Sequence, residues 1–321
     1  MTTSNAATAP ARQWRIFPEL SGTAIAGVAI AIFLLAFLIL PVLKVTYVAF
    51  QDPHTGALTL QNFGDFFRSS LFRSSFVNSF YVSAMSVVVA TVIALPLAYI
   101  TTRFNFGGSA LIQSIGVIPL IMPPFVGAIA MQLLFGRNGT VNLLLSQYLG
   151  FKIPFMEGLN GVIFVQSLHY FPFILINLSA SLRNIDKAME ESAQNLGCTG
   201  LRLFRRIVFP LAMPGYIAGA ALVFIKVFDD LGTPLLLNVN NMLAPQAYLR
   251  ISSVGISDPM GYVISFILVA FSVFSLWASF LFMRGKDYAT VQKGGGGLAR
   301  RDLSRGEKIV AYGVVVFILL L

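Results

Sequence analysis

Charge is what this chain lacks most. Only 11% of its 321 residues are charged, against roughly 25% in an average soluble domain. Such a chain has too few charges to cover a water-facing surface, and its 56% hydrophobic content places it in a membrane. Cysteine and histidine are nearly absent: Cys198, His54 and His169 are the whole inventory. An intramolecular disulfide is excluded, and the usual Cys/His zinc spacings cannot be assembled, so no metal site is expected. A phosphate loop is missing too. Nothing reads Gly-x4-Gly-Lys-Ser/Thr, and Gly294–Gly297 runs into Leu298-Ala299-Arg300, so no nucleotide cofactor is expected on this chain. No Ser/His/Asp set, no HExxH helix and no carboxylate cluster at depth supports an enzyme. No basic patch interleaved with aromatics suggests nucleic acid.

What is present is a series of apolar runs, each near the roughly 20 residues that a bilayer core requires of a helix. They fall at about Gly22–Leu43, Phe76–Thr101, Ala110–Phe135, Gly161–Leu182, Leu211–Phe228 and Gly261–Met283. The fold class is therefore all-α, a polytopic bundle of six spans. A signal peptide competes for the first run, but its length favours an uncleaved anchor. Pro119, Pro123 and Pro124 lie inside the third run and should break or kink it.

Lysine and arginine set the orientation. With the N-terminus in the cytoplasm, fifteen basic residues fall inside and six outside. The bias predicts a multi-pass plasma-membrane protein and puts the loop between spans four and five in the cytoplasm. Residues 1–20 then form a cytoplasmic segment, and 21–75 hold the first span and an outer loop. Residues 76–285 hold the core, with the charged loop at 183–210. Residues 286–308 read as a flexible linker rich in glycine. The apolar residues 309–321 read as the start of a seventh span, with a short apolar tail as the alternative.

The charged loop carries the sharpest pattern. Ile185, Met189, Ala193 and Leu196 fall at helical spacing, and Asp186, Glu190 and Gln194 lie largely away from that face. Gly197 follows, suited to a left-handed residue past a helix end. A second short helix fits Gly200–Val208, with Leu201, Phe204 and Val208 on its apolar face. Pro210 should stop or bend it before the fifth span. An amphipathic loop lying on the membrane is the bland alternative.

Glu191-Ser192-Ala193, three residues, Gly197, nine residues, then Ile207-Val208-Phe209-Pro210 resembles the Glu-Ala-Ala, x3, Gly, x9, Ile-x-Leu-Pro loop of ABC importer permeases. Ser192 and Phe209 depart from that pattern while keeping its small and apolar character. The resemblance implies a knob that docks on a separate cytoplasmic ATPase dimer, which would use the ATP. Glu191 would help fix the contact, Ser192 and Ala193 would permit close approach, and a side chain at Gly197 would obstruct. Ile207 and Pro210 would anchor the second short helix. It also implies a bacterial inner-membrane location, a soluble binding protein outside and a second permease half. Some relatives of this kind fuse two six-span halves, and the linker with its apolar continuation looks like the end of a first half. Asp230-Leu231-Gly232-Thr233-Pro234-Leu235-Leu236-Leu237 is similar to a stretch of the ferric-iron branch; phosphonate, polyamine and other small-solute importers have related permeases.

Ionisable groups in a span are costly and often functional. Lys226 and Asp230 stand four apart and can pair on one helix face, with Asp229 beside them. They could gate or line the pathway; a pair snorkelling at the outer interface is the alternative. His169, beside Tyr170 and Pro172, could line it too, or sit packed and hydrogen-bonded. An ion-gradient-driven secondary transporter would use these charges but leaves the loop unexplained.

Overall fold

In a computed structural model, the described residues are 22–320 apart from 54, 106, 256, 257, 285–300, 303 and 304. The segment 1–20 and the glycine linker Gly294–Gly297 lie outside them. The chain divides into two units at Tyr47–Val48.

The first unit is the helix α1, which runs Ala24–Ala49 across the boundary. Its side chains are exposed from Ala24 to Lys44. An apolar helix that leaves a run as long as Ala24–Lys44 exposed is suited to lipid. Its ladder passes through a π turn at Leu35–Ile39, two residues ahead of Pro41.

The second unit opens with α2 (Gln61–Arg68) and α3 (Ser70–Arg103), which ends in the short strand β1 (Phe104–Asn105). The expected third span is broken, as its prolines require. Ser109–Leu120, containing α4 (Ser109–Ile115), meets Pro124–Leu149 at 99°. The latter holds α5 (Pro124–Phe135) and α6 (Thr140–Leu149). Then come α7 (Gly158–Arg183), α8 (Lys187–Asn195), α9 (Gly200–Phe228), α10 (Gly232–Leu236), α11 (Leu243–Ser253) and α12 (Pro259–Arg284). Among the described residues, five helices are thus long and apolar enough to cross a membrane, six with the bent pair. The first core span begins at Ser70, earlier than Phe76, and the last apolar helix, α13 (Arg305–Leu320), earlier than residue 309. Both gain a polar first turn that hydropathy does not see.

The core is α3, α7 and α9. Lipid tails are as apolar as leucine, so helices in a bilayer are held by close backbone approach and polar bonds. Small residues supply the approach. A Cβ on Gly215 would stand 2.3 Å from the Asn177 carbonyl oxygen, and one on Gly219 would stand 2.7 Å from Ile174 Cα. On α3, Ser75, Ser79, Ser83, Ser86, Ala90 and Ala94 are buried. The Ser167 hydroxyl donates to the Ser86 carbonyl at 3.3 Å, and Leu243 N–H donates to Ser79 Oγ at 2.8 Å. At the end opposite α8, a second cluster gathers Phe66, Phe72, Phe228, Val263 and Ile264. Beyond α12, β2 (Arg301–Asp302) pairs in parallel with β1, and Tyr312 of α13 donates to the Gly107 carbonyl at 3.0 Å.

Candidate coupling site and pathway

The loop between α7 and α9 is a compact knob. Asp186 caps α8, its carboxylate accepting from Ala188 N–H at 2.9 Å, which satisfies one of the free donors of a helix start. At the other end Gly197 adopts φ +80°. Its N–H donates to the Gln194 carbonyl at 2.8 Å, and Cys198 N–H to that of Ala193 at 2.9 Å. A left-handed glycine with two backward bonds closes the helix as expected.

The buried face differs from the one the periodicity suggests. Glu190 is buried, and its carboxylate lies 2.6 Å from Arg103 at the end of α3. Met189 is exposed, and Leu196 and Leu201 are 88% and 72% exposed. The ion pair turns α8, because a charged arginine left in the bundle without a counter-charge costs more than leaving Met189 and Leu196 on the surface. Among the described residues, the Arg103 donors Nε and Nη2 have no hydrogen-bond partner. Burial holds the Glu190 carboxyl above its usual range, against the pull of the Arg103 guanidinium.

Glu191 and Ser192 face outward, and the Ser192 hydroxyl donates to the Ala188 carbonyl at 2.7 Å. Ala193 and Ile207 pack against the bundle core instead, so the close approach of Ala193 is to its own chain. Around Gly197 nothing lies within 4 Å of a Cβ position. A Cβ there would meet no described residue, so its cost is the left-handed backbone conformation.

No separate second helix forms. Gly200–Phe228 is continuous, passing through a π turn at Phe204–Val208 two residues ahead of Pro210. Phe209 N–H reaches back to the Phe204 carbonyl. The wider turn accommodates a proline that would otherwise clash with the preceding turn. Pro210 is exposed. Of the proposed apolar face, Val208 is buried and Phe204 meets the Tyr99 ring edge-on at 4.9 Å, while Leu201 points out beside exposed Arg202, Arg205 and Arg206.

At the other end of α9 the charges separate. The Lys226–Asp230 pair does not form, because the helix ends at Phe228 and Asp230 turns into the bundle. Its carboxylate accepts from Gln166 Nε2 at 2.8 Å, Gly232 N–H at 3.3 Å and Thr233 N–H at 3.2 Å. It thereby starts α10 and ties it to α7. Asp229 accepts from the Ser272 hydroxyl of α12 at 2.9 Å, and Lys226 is exposed. His169 is buried beside Tyr170 and borders a cavity of about 300 Å³ between α7 and the bent pair. It is packed but makes no hydrogen bond among the described residues.

Arg103, Glu190 and Gln166 were not singled out from the sequence. Gln166, a lone amide in an apolar run, was a usable signal; Arg103 read only as a topology marker.

A bundle of spanning helices with a capped, clamped knob on one end is the architecture of a membrane transport subunit. Residues 90–287 match the family described as "Binding-protein-dependent transport system inner membrane component", and the chain belongs to that family. Its members are membrane translocation components rather than ATPases. The chain is 28% identical over 206 residues to the ferric transport system permease protein FbpB of Actinobacillus pleuropneumoniae, covering 64% of this chain and 30% of that protein. It is 33% identical over 156 residues to the molybdenum transport system permease protein ModB of Haemophilus influenzae, covering 47% and 67%. The match thus spans about a third of the length of the ferric relatives. A bacterial ABC transporter that imports alginate shares the fold, with a TM-score of 0.65 at 17% identity over 83% of this chain and 96% of its own.

Proposed function

We propose that this chain is the transmembrane permease subunit of an ATP-binding-cassette importer, that it forms part of the translocation pathway, and that its substrate is ferric iron. The observation that carries the coupling role is the knob. It is capped at both ends, clamped to α3 through Glu190 and Arg103, and offers Leu196 and Leu201 to a partner. In this reading Glu191, Ser192 and Gly197 lie at the contact, while Ala193, Ile207 and Pro210 seat it. A cytoplasmic ATPase dimer hydrolyses ATP, a periplasmic binding protein delivers the substrate, and a second permease half completes the pathway. The N-terminus lies in the cytoplasm.

The ferric assignment draws on the two FbpB relatives and the Asp230–Leu237 stretch. A permease for an oxyanion is the second reading, favoured by relatives named for molybdenum and sulfate transport. Against a gradient-driven transporter stands Asp230, which is engaged by three donors from Gln166 and the start of α10.

The test is a mild-detergent pull-down of the native-length protein beside Gly197→Arg. Wild type should retain an ATPase and the variant should lose it while staying folded. Uptake of radiolabelled ferric iron, molybdate and sulfate by cells carrying the full system then separates the substrates. An ATPase absent from both samples would remove the importer reading.

A further inference from the structure

The docking end also holds a polar recess that the coupling argument does not use. Thr101 at the end of α3, Ser109, Gln113 and Ser114 of α4, and Arg183 at the end of α7 line a cavity of about 630 Å³. A second cavity of about 210 Å³ shares Gln113, Val117 and Arg183 as walls and reaches down α7 to Ser179. No carboxylate lines either one.

The side chains in it are held in place. Gln113 Nε2 donates to Thr101 Oγ1 at 3.0 Å, which fixes the amide so that its oxygen accepts from Arg183 Nη2. Arg183 forms no ion pair among the described residues. Its guanidinium therefore keeps its charge and most of its donors uncommitted. Ser179 lies one helical turn below, on the same face of α7. Its hydroxyl is buried and has no hydrogen-bond partner among the described residues. A buried polar atom without a partner is uncommon in a native structure and requires an explanation. A fixed cation, an unused hydroxyl donor and a recess free of carboxylates are what an oxyanion requires, and the arginine fork suits a phosphate-like group.

We propose that this recess binds a phosphate-sized oxyanion at the docking end of the bundle, with Arg183 and Ser179 as direct donors and Gln113 positioning the guanidinium. The proposal holds whichever substrate the importer carries. The anion has two possible sources, a soluble oxyanion or an anionic lipid headgroup.

The native full-length protein with its ATPase is placed in discs of uncharged glycolipid, with or without phosphatidylglycerol, and titrated with radiolabelled inorganic phosphate. No ATP is added, so the outcome is independent of transport. In glycolipid alone, wild type should bind label saturably. Arg183→Gln should weaken binding at least tenfold and Ser179→Ala severalfold, and Arg137→Gln, an exposed position far from the recess, should leave it unchanged. Displacement of the label by phosphatidylglycerol assigns the site to a headgroup; retention assigns it to a soluble anion. Absence of saturable label in wild type, or equal binding by wild type and folded Arg183→Gln and Ser179→Ala, would overturn the site.

Discussion

Both ends of the bundle fasten a short helix with an arginine and a carboxylate, but in different surroundings. At the docking end, Arg103 and Glu190 stand 2.6 Å apart with side chains only 7% and 11% exposed. At the other end, Arg250 of α11 and Asp258 before α12 stand 3.5 Å apart, at 37% and 15% exposure. There the arginine also lies over the Phe72 ring, 5.0 Å from its centre. Around it, Phe76, Phe228 and Phe271 pack ring against ring. Removing the charge at that end leaves aromatic packing in place. Removing one charge at the docking end leaves the other buried and unpaired, which is the expensive error. The docking end adds a buried ion pair to its packing, whereas the other end adds a partly exposed one to a cluster of rings.

The contrast breaks first at Arg103. Arg103→Glu puts two carboxylates in one buried place and should cost about 3–5 kcal/mol, read as thermal stability in detergent. The swap Arg103→Glu with Glu190→Arg should restore part of it; no recovery would mean that shape rather than charge holds the knob. Next comes the aromatic end, where Phe228 is 1% exposed. Phe228→Ala should cost about 3 kcal/mol through the cavity it leaves, with the ATPase still bound. Loss of the ATPase there would erase the division between the ends. Arg250→Gln should cost less than Arg103→Glu, since Arg250 itself is partly exposed; an equal loss would make the two fastenings equivalent.

Titration gives the smallest and sharpest effect. The Glu190 carboxyl is held above its ordinary value of 4.5 by burial, so the folded chain binds this proton more tightly than the unfolded one. Its contribution to stability is full below pH 4.5 and is lost as pH rises through the raised value. Glu190→Gln should therefore flatten the stability curve above pH 4.5. An unchanged curve would place the titration elsewhere.

Much of this was legible beforehand where one local cause dominates. Apolar runs located the spans, Pro119, Pro123 and Pro124 announced the break, and Asp186 and Gly197 marked the ends of α8. What escaped depends on partners distant in sequence. Glu190 lies in toward the bundle because Arg103 is there, 87 residues earlier. Asp230 ignores Lys226 because Gln166 and two backbone N–H groups meet it on the other side. Pro210 ends nothing because the preceding turn widens to admit it. Periodicity reports the face a helix would choose alone, and a buried ion pair overrules it.

The unbroken run from Gly200 to Phe228 makes α9 a beam with a fulcrum. Its closest contact with a neighbour, at Gly215 and Gly219, lies near the midpoint. At roughly 1.5 Å per residue, Leu201 stands about 24 Å to one side of that point and the helix end at Phe228 about 17 Å to the other. Glycine at the crossing gives the beam a smooth bearing on which it can rock. A displacement of the knob end would then swing the Phe228 end the opposite way by roughly two thirds as much, the ratio of arm lengths that this rise sets. The π turn carries the helix through Pro210, so the residues beside the knob and the α10 end are joined by one continuous helix.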